Sequence, residues 1–344
     1  MGSMVGIKDV ARQAGVSVGT VSNVINRPDL VSEETRTRVQ SVIARLGYIR
    51  SESARQLRAG ASRIVALLVL DMGNPFFVDV ASGAERAARK AGLGVMVCNS
   101  AQSTSEEVEY LSLFAEQRVR GVLVTPADPT GRSLDALRRQ GIPFVLVDRV
   151  SADPEVCSVS VDDVVGGRLA AQHLIAAGHR SIVYVGGPPE LPQVRDRRAG
   201  ALAALAEAGL PPQALTEVSA DRLDVPAGRD AGARLLGLAP RPTAVFCAND
   251  LLALGVLQAV FAARVAVPDD MAIVGYDDIE FAAAAAVPLT SVRQPAAAMG
   301  RLAAEMLMDE TGGRGADGDS GGHQHRQVVL QPELVVRGSS LGAR

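Results

Sequence analysis

The sequence predicts an α/β protein in which a small helix-turn-helix head precedes a two-lobed core of parallel sheets. From residue 64 onward, short apolar runs alternate with Ala- and Leu-rich helical stretches, the pattern of strands covered on both faces. The first 47 residues instead hold three short helical patterns separated by turns. Charge divides the chain the same way. Residues 1–63 carry ten Lys/Arg against five Asp/Glu, a net of +5, and the remainder carries 25 against 33, a net of −8. A basic head on an acidic body is suited to meeting a polyanion.

The first pattern, IKDVARQA, puts Ile7, Val10, Ala11 and Ala14 on one side, and Gly15 ends it. Ser17 is placed to cap the second, whose apolar period is Val18, Val21, Val24 and Ile25. Its other face is Gly19, Thr20, Ser22, Asn23 and Asn26, side chains that form hydrogen bonds without carrying charge. After Asn26-Arg27-Pro28-Asp29 a third helix starts at Ser32, with Glu33 and Glu34 in its first turn and a stripe of Val39, Val42, Ile43 and Leu46. Two short helices joined at Gly15 and followed by a third form a helix-turn-helix.

SESARQLRAGAS (51–62) is small and polar apart from Leu57. Buried-strand runs then follow at 64–70, 94–99, 121–126, 143–148, 181–187, 244–250 and 271–278, with helical stretches at 79–92, 105–118, 133–140, 163–177 and 197–208. The strands fall into groups before and after about residue 160, which predicts two similar lobes. TGGRGADGDSGGHQHR (311–326) reads as a surface loop, and QVVLQPELVVR (327–337) as a closing strand pair.

Composition removes several classes. Apolar residues are 47% of the 344, aromatics only 3%, so the core must be mostly Ala, Val and Leu. Neither a membrane span nor a secretory leader is expected. Cys98, Cys157 and Cys247 are odd in number and 59 and 90 residues apart, a spacing that predicts buried cytosolic thiols. His323 and His325 form an HQH that could ligate a metal, but two histidines in a Gly-rich loop read as solvated. His173 and His179 read as structural. No cofactor and no metal are expected.

Taken together, these motifs resemble the lactose/purine-repressor family of bacterial transcription regulators, from about Ile7 to Arg337. The head motifs IKDVARQAGVSVGTVSNVIN and VSEETRTRVQSVIARLGY carry most of it. LDMGNPFF, GVLVTP, VDDVVGG, HLIAAGHRSIVYVGG, CAND, VGYDD and LTSVRQP follow in order. The resemblance implies a DNA-binding head (5–50), a hinge helix (51–62) and a periplasmic-binding-protein-like effector and dimerisation core (63–338). Its N-lobe is expected at about 63–160 and 293–326, and its C-lobe at about 161–292 and 327–338.

On this resemblance the second helix enters the major groove of a pseudo-palindromic operator. Thr20 and Ser22 are placed for phosphates and Asn23 and Asn26 on the outward face, with Asn23 toward base edges; Asn pairs bidentately with adenine. Leu57 matches the hinge side chain that wedges into a minor-groove step, with Arg55 and Arg58 beside it. The effector site is implied between the lobes at the C-terminal strand ends: Asp71, Asn74, Phe76, Phe77, Asp148, Arg197, Asn249, Asp277 and Gln294. Leu223 stands where many relatives have an aromatic, which favours a small polar ligand such as a sugar over a flat purine. Related tetramers carry a Leu-heptad helix after the last strands; GSSLGAR here predicts a homodimer.

A sugar-binding transport protein on the same fold would need a leader and would leave the basic head unexplained. A carbohydrate enzyme would need paired carboxylates, yet Asp277 and Asp278, adjacent on a strand end, point to opposite sides. The function expected is therefore a cytoplasmic, effector-controlled DNA-binding repressor without enzymatic activity.

Overall fold

Small apolar side chains at helical spacing build the head. In the computed structural model, which describes residues 5–48, 62–128, 130–312 and 323–341, they form α1 (Ile7–Ala14), α2 (Val18–Asn26) and α3 (Glu33–Leu46). Val10, Ala11, Ala14, Val21, Val24, Val39 and Val42 make its core, and Ile7, Ile25, Ile43 and Leu46 pack against it. Gly15 closes α1 in the left-handed region (φ 65°), which glycine adopts without strain. The Ser17 hydroxyl caps α2 by accepting from the Thr20 amide at 3.0 Å. Two details differ from the sequence reading. Val18 lies largely outside the core, 38% exposed, and Ser32 bonds to the Thr35 hydroxyl instead of capping the backbone of α3.

The chain divides into two compact units at Ser62 and Arg63. The second unit contains two six-stranded sheets. The first holds β1 (Ile64–Val69), β2 (Gly94–Asn99), β3 (Gly121–Val124), β4 (Phe144–Val147), β5 (Ser158–Val161) and β11 (Gln327–Leu330). They lie in the order β11-β5-β4-β3-β1-β2, all parallel. The second holds β6 (Ile182–Gly186), β7 (Leu215–Ser219), β8 (Ala244–Cys247), β9 (Ala272–Asp277), β10 (Thr290–Arg293) and β12 (Glu333–Val335). Their order is β12-β10-β9-β8-β6-β7, with β12 antiparallel. The doubly covered strands β3, β4, β6, β8 and β9 are buried throughout.

Helices connect them: α4 (Pro75–Lys90), α5 (Thr104–Glu116), α6 (Asp135–Gln140) and α12 (Ala296–Gly312) in the first lobe. The second has α7 (Asp163–Ala176), α8 (Pro192–Glu207), α9 (Val225–Leu236), α10 (Asp250–Ala262) and α11 (Glu280–Ala284). Three helix pairs touch backbone to backbone through reciprocal glycines: Gly83 and Gly300 join α4 to α12, Gly167 and Gly200 join α7 to α8, and Gly228 and Gly255 join α9 to α10. A Cβ added at Gly167 would lie 1.9 Å from the Arg197 carbonyl oxygen, and one at Gly200 would lie 2.0 Å from that of Val164.

The closing strands correct the expected lobe boundary. Residues 327–330 belong to the first sheet, paired in parallel with β5, and only 333–335 reach the second. Gln331-Pro332 is the passage between them, where proline withholds a ladder donor. The chain thus crosses between lobes three times: after β5, after β10 at Gln294-Pro295, and between β11 and β12.

Candidate functional site

A cleft opens in the core at the C-terminal ends of the parallel strands of both sheets. The chain reaches it first just after β1, where Asn74 caps α4: its Oδ1 accepts from the Phe76 amide at 3.1 Å. This fixes Phe76 and Phe77, both buried, edge to face with centroids 5.0 Å apart. The Asn74 Nδ2 donates across the cleft to Asp277 Oδ2 at 2.8 Å. Asp277 ends β9, and its other oxygen accepts from Gln294 Nε2 at 2.7 Å.

The second bridge between lobes runs from Gln193, in the first turn of α8. Its Nε2 donates to the Asp148 carbonyl at 2.8 Å and to Asp148 Oδ2 at 3.0 Å. Asp148 and Asp277 both follow buried strand segments in the positive-φ region, at 57° and 106°. For a side chain other than glycine such backbone is strained by about 1–3 kcal/mol, and strain of this kind gathers at functional sites.

Arg197 lies one turn beyond Gln193 and is 4% exposed. Its Nε donates to Asp163 Oδ1 and its NH1 to the Ala248 carbonyl, each at 2.7 Å; NH1 lies 4.0 Å from Asp277 Oδ1. The guanidinium sits 3.7 Å from the Tyr276 ring centroid, a cation–π contact in a dry setting. One arginine therefore stands among Asp148, Asp163 and Asp277. Burial alone would lower its pKa, but the Asp163 charge, followed by Tyr276, Asp277 and Asp148, holds it well above the ordinary value. Asp277 is raised by burial, with Arg197 and its two amide donors pulling it back.

Asp148 is pushed up to about 8, first by burial and then by the neighbouring Asp163 charge. The folded chain thus holds a proton there that the unfolded chain, with a value near 3.8, releases. Between about pH 4 and 8 this group makes stability fall as pH rises. Asp148→Asn removes that dependence. The melting temperature of the variant minus that of the parent, without effector, should grow from pH 5 to pH 8; a difference flat across this range would mean Asp148 is already ionised in the fold.

Of the residues singled out in the sequence, Asn74, Phe76, Phe77, Asp148, Arg197, Asn249, Asp277 and Gln294 all line this cleft. Asn249 caps α10 through the Leu252 amide at 2.9 Å and donates to the Leu223 carbonyl at 3.1 Å. Asp71 does not line the cleft. It closes a turn by accepting from the Gly73 amide and holds Gln102, whose Oε1 accepts from the Leu223 amide at 3.4 Å. Leu70, Leu191, Gln193 and Leu223 complete the wall. Gln193 escaped the sequence reading although it lies four residues before Arg197, on the same helical face. Asp148 Oδ1, Gln193 Oε1 and Gln294 Oε1 are buried without a protein partner. With Arg197 they give the wall both acceptors and donors, the complement of a polyhydroxylated ligand.

Asp277 and Asp278 do face opposite ways. Asp278 bonds Arg293 at 2.7 Å and Arg337, away from the cleft. His173 bonds Ser340 and His179 bonds Thr243, consistent with structural roles. His323 and His325 are not the freely solvated pair the sequence suggested: both are half-buried against Cys157.

In the head, Asn23 and Asn26 are exposed on α2, and Thr20 and Ser22 are half-exposed. Asn26 Nδ2 donates to the Ser22 carbonyl at 2.8 Å and its hydroxyl at 3.2 Å, and Thr20 shares a hydrogen bond with Ser17 at 2.9 Å. Asn23 therefore stands between side chains already ordered by the helix. Arg55, Leu57 and Arg58 lie outside the described residues.

Comparison with known proteins agrees over nearly the full length. The model of bacterial regulatory proteins of the lacI family matches residues 6–51, and that of a periplasmic binding protein-like domain matches 171–340. The chain is 34% identical over 337 residues to the HTH-type transcriptional repressor PurR of Photobacterium profundum, covering 98% of each. It is 34% identical over 338 residues to the ribose operon repressor of Escherichia coli, covering 98% of this chain and all of that one. Among solved structures, the lac repressor dimer bound to operator and the anti-inducer ONPF aligns with TM-score 0.82 and 27% identity, covering 99% of this chain and 100% of that one. A LacI family regulator from Enterococcus faecium with bound ribose aligns with TM-score 0.72 and 27% identity, covering 82% and 100%. No helix among the described residues is long and apolar enough to cross a membrane.

Proposed function

Because the chain belongs to the lacI family of bacterial regulatory proteins, we propose that it is a transcriptional repressor whose operator affinity is set by a small sugar held in the core cleft. It acts as a homodimer on a pseudo-palindromic site in the cytoplasm, where the chromosome is, and without catalysis. The observation that carries the ligand class is Arg197 among three carboxylates, with Gln193, Gln294 and Asn249 around it and the Phe76–Phe77 pair on the apolar side. Such a wall pairs with vicinal hydroxyls in plane and covers a sugar's C–H face. Leu223 adds no flat aromatic face at its place in the wall.

In the head, Asn23 carries base readout, while Arg55 and Arg58 add salt-dependent affinity and Leu57 the minor-groove wedge. The test joins both ends of the molecule. Pentoses, hexoses and purine bases are screened by thermal shift, and the hit is titrated against operator binding of the full-length protein. A monosaccharide should raise the melting temperature and change operator affinity by about 5–150-fold, the range of ordinary two-site coupling. Stabilisation by a purine base and by no sugar would overturn the ligand class. A sugar that binds with operator affinity unmoved would overturn the regulatory reading.

A further inference from the structure

Cys157 immediately precedes β5, and His323 and His325 lie in the segment entering β11, 166 and 168 residues further along the chain. The parallel pairing Gln327↔Ser158 brings them together at the N-terminal end of the first sheet, the end opposite the cleft. The Cys157 Sγ lies 3.2 Å from His323 Nε2 and 3.7 Å from His325 Nδ1, and all three ligand atoms fall within 4.8 Å of one another. The two imidazoles stand edge to face at 85°, centroids 4.9 Å apart, each presenting a nitrogen to the same sulfur. Among the described residues this is the one such group of three metal-ligating side chains.

We infer that Cys157, His323 and His325 form a binding site for a borderline transition-metal ion of the zinc class. Around tetrahedral zinc, with Zn–S about 2.3 Å and Zn–N about 2.0 Å, a sulfur and a nitrogen sit about 3.5 Å apart. The two observed separations straddle that value. One thiol proton can serve only one of the two imidazole nitrogens, whereas a cation satisfies both nitrogens and the sulfur together. The Arg326 amide also donates to the sulfur at 3.4 Å. One thiolate with two imidazoles excludes calcium and magnesium, which take oxygen ligands, and selects zinc or its softer neighbours. Three protein donors leave the fourth tetrahedral position to water or a small ligand. Bound metal would clip the edge strand β11 to β5 at the end away from the passage into the second lobe.

Cobalt(II) is the probe, added to the full-length, reduced, metal-stripped protein. One equivalent per chain should bind, with a thiolate-to-cobalt charge-transfer band and the intense visible bands of tetrahedral cobalt, both removed by excess zinc. Cys157→Ser should abolish the charge-transfer band. His323→Gln and His325→Gln, at half-buried positions where folding is not at risk, should each weaken cobalt binding at least about tenfold, with His179→Gln as the unaffected control. Failure of the parent to bind cobalt would overturn the assignment. So would an unchanged band in a folded Cys157→Ser variant, or parental affinity in both histidine variants.

Discussion

Replacing Arg197 by Ala is expected to destabilise the core by about 3–5 kcal/mol, the usual effect of removing one partner from a buried ionic cluster. The reason is the company it keeps. Asp163 loses its 2.7 Å partner, the Ala248 carbonyl loses a donor, and Asp277 and Asp148 lose the cation that pulls both carboxyls down. Hydrogen-bonded fork geometry matters as well as charge, so Arg197→Lys should recover part of the stability and little of the effector affinity. Urea unfolding of the effector-free variants gives the first number and calorimetry the second. An Ala variant within about 1 kcal/mol of the parent would mean that the cleft wall does not depend on this ion pair. The resemblance implied only a ligand contact for Arg197; the structure shows that it also holds the cleft wall together.

Gly167→Ala should be nearly as damaging, although on an isolated helix the same change would stabilise by about 1 kcal/mol. The added methyl carbon would sit 1.9 Å from the Arg197 carbonyl oxygen, 2.6 Å from its carbon and 2.8 Å from its Cα. Backbone on both sides has no rotamer to escape into, so α7 and α8 must part. Overpacking of this kind reaches about 3 kcal/mol. Because α8 carries both Gln193 and Arg197, ligand affinity should fall together with stability. Gly94→Ala is the matched control: its Cβ meets nothing within 4 Å and should change stability by less than about 0.5 kcal/mol. Equal melting temperatures for Gly167→Ala and the parent would refute the close-packing argument.

What the sequence made legible follows from how each signal is encoded. Head helices and strands announce themselves through period and apolar runs, and β1, β3, β4, β6, β8 and β9 were all readable, as was the half-buried edge strand β2. Strands β5 (SVSV), β7 (LTEVS) and β10 (TSVR) were not: they are short and rich in Ser, Thr and Glu, and only tertiary burial makes them strands. The closing pair was read as one unit because nothing local says that two adjacent strands enter different sheets. Eight cleft residues were placed by motif, but Asp71 was not separable from them, since a turn-closing aspartate and a ligand-facing one look alike in sequence. The Cys157–His323–His325 group depends on the β5–β11 pairing, a contact between residues more than 160 apart.

Strand β1 runs from Arg63, where the chain enters the core, to the cleft at Leu70, and six residues of strand span about 20 Å. The three crossovers are short straps beside that cleft, and reciprocal glycines lock the helix pairs α4–α12, α7–α8 and α9–α10 within the lobes. A lobe so braced would turn as a lever with its fulcrum at the cleft. Each degree of rotation about the straps then displaces the entry point by about a third of an ångström over that arm. Two such levers in a dimer would add, so a turn too small to disturb the core would become a change of several ångströms in the spacing of whatever the two chains carry ahead of Arg63.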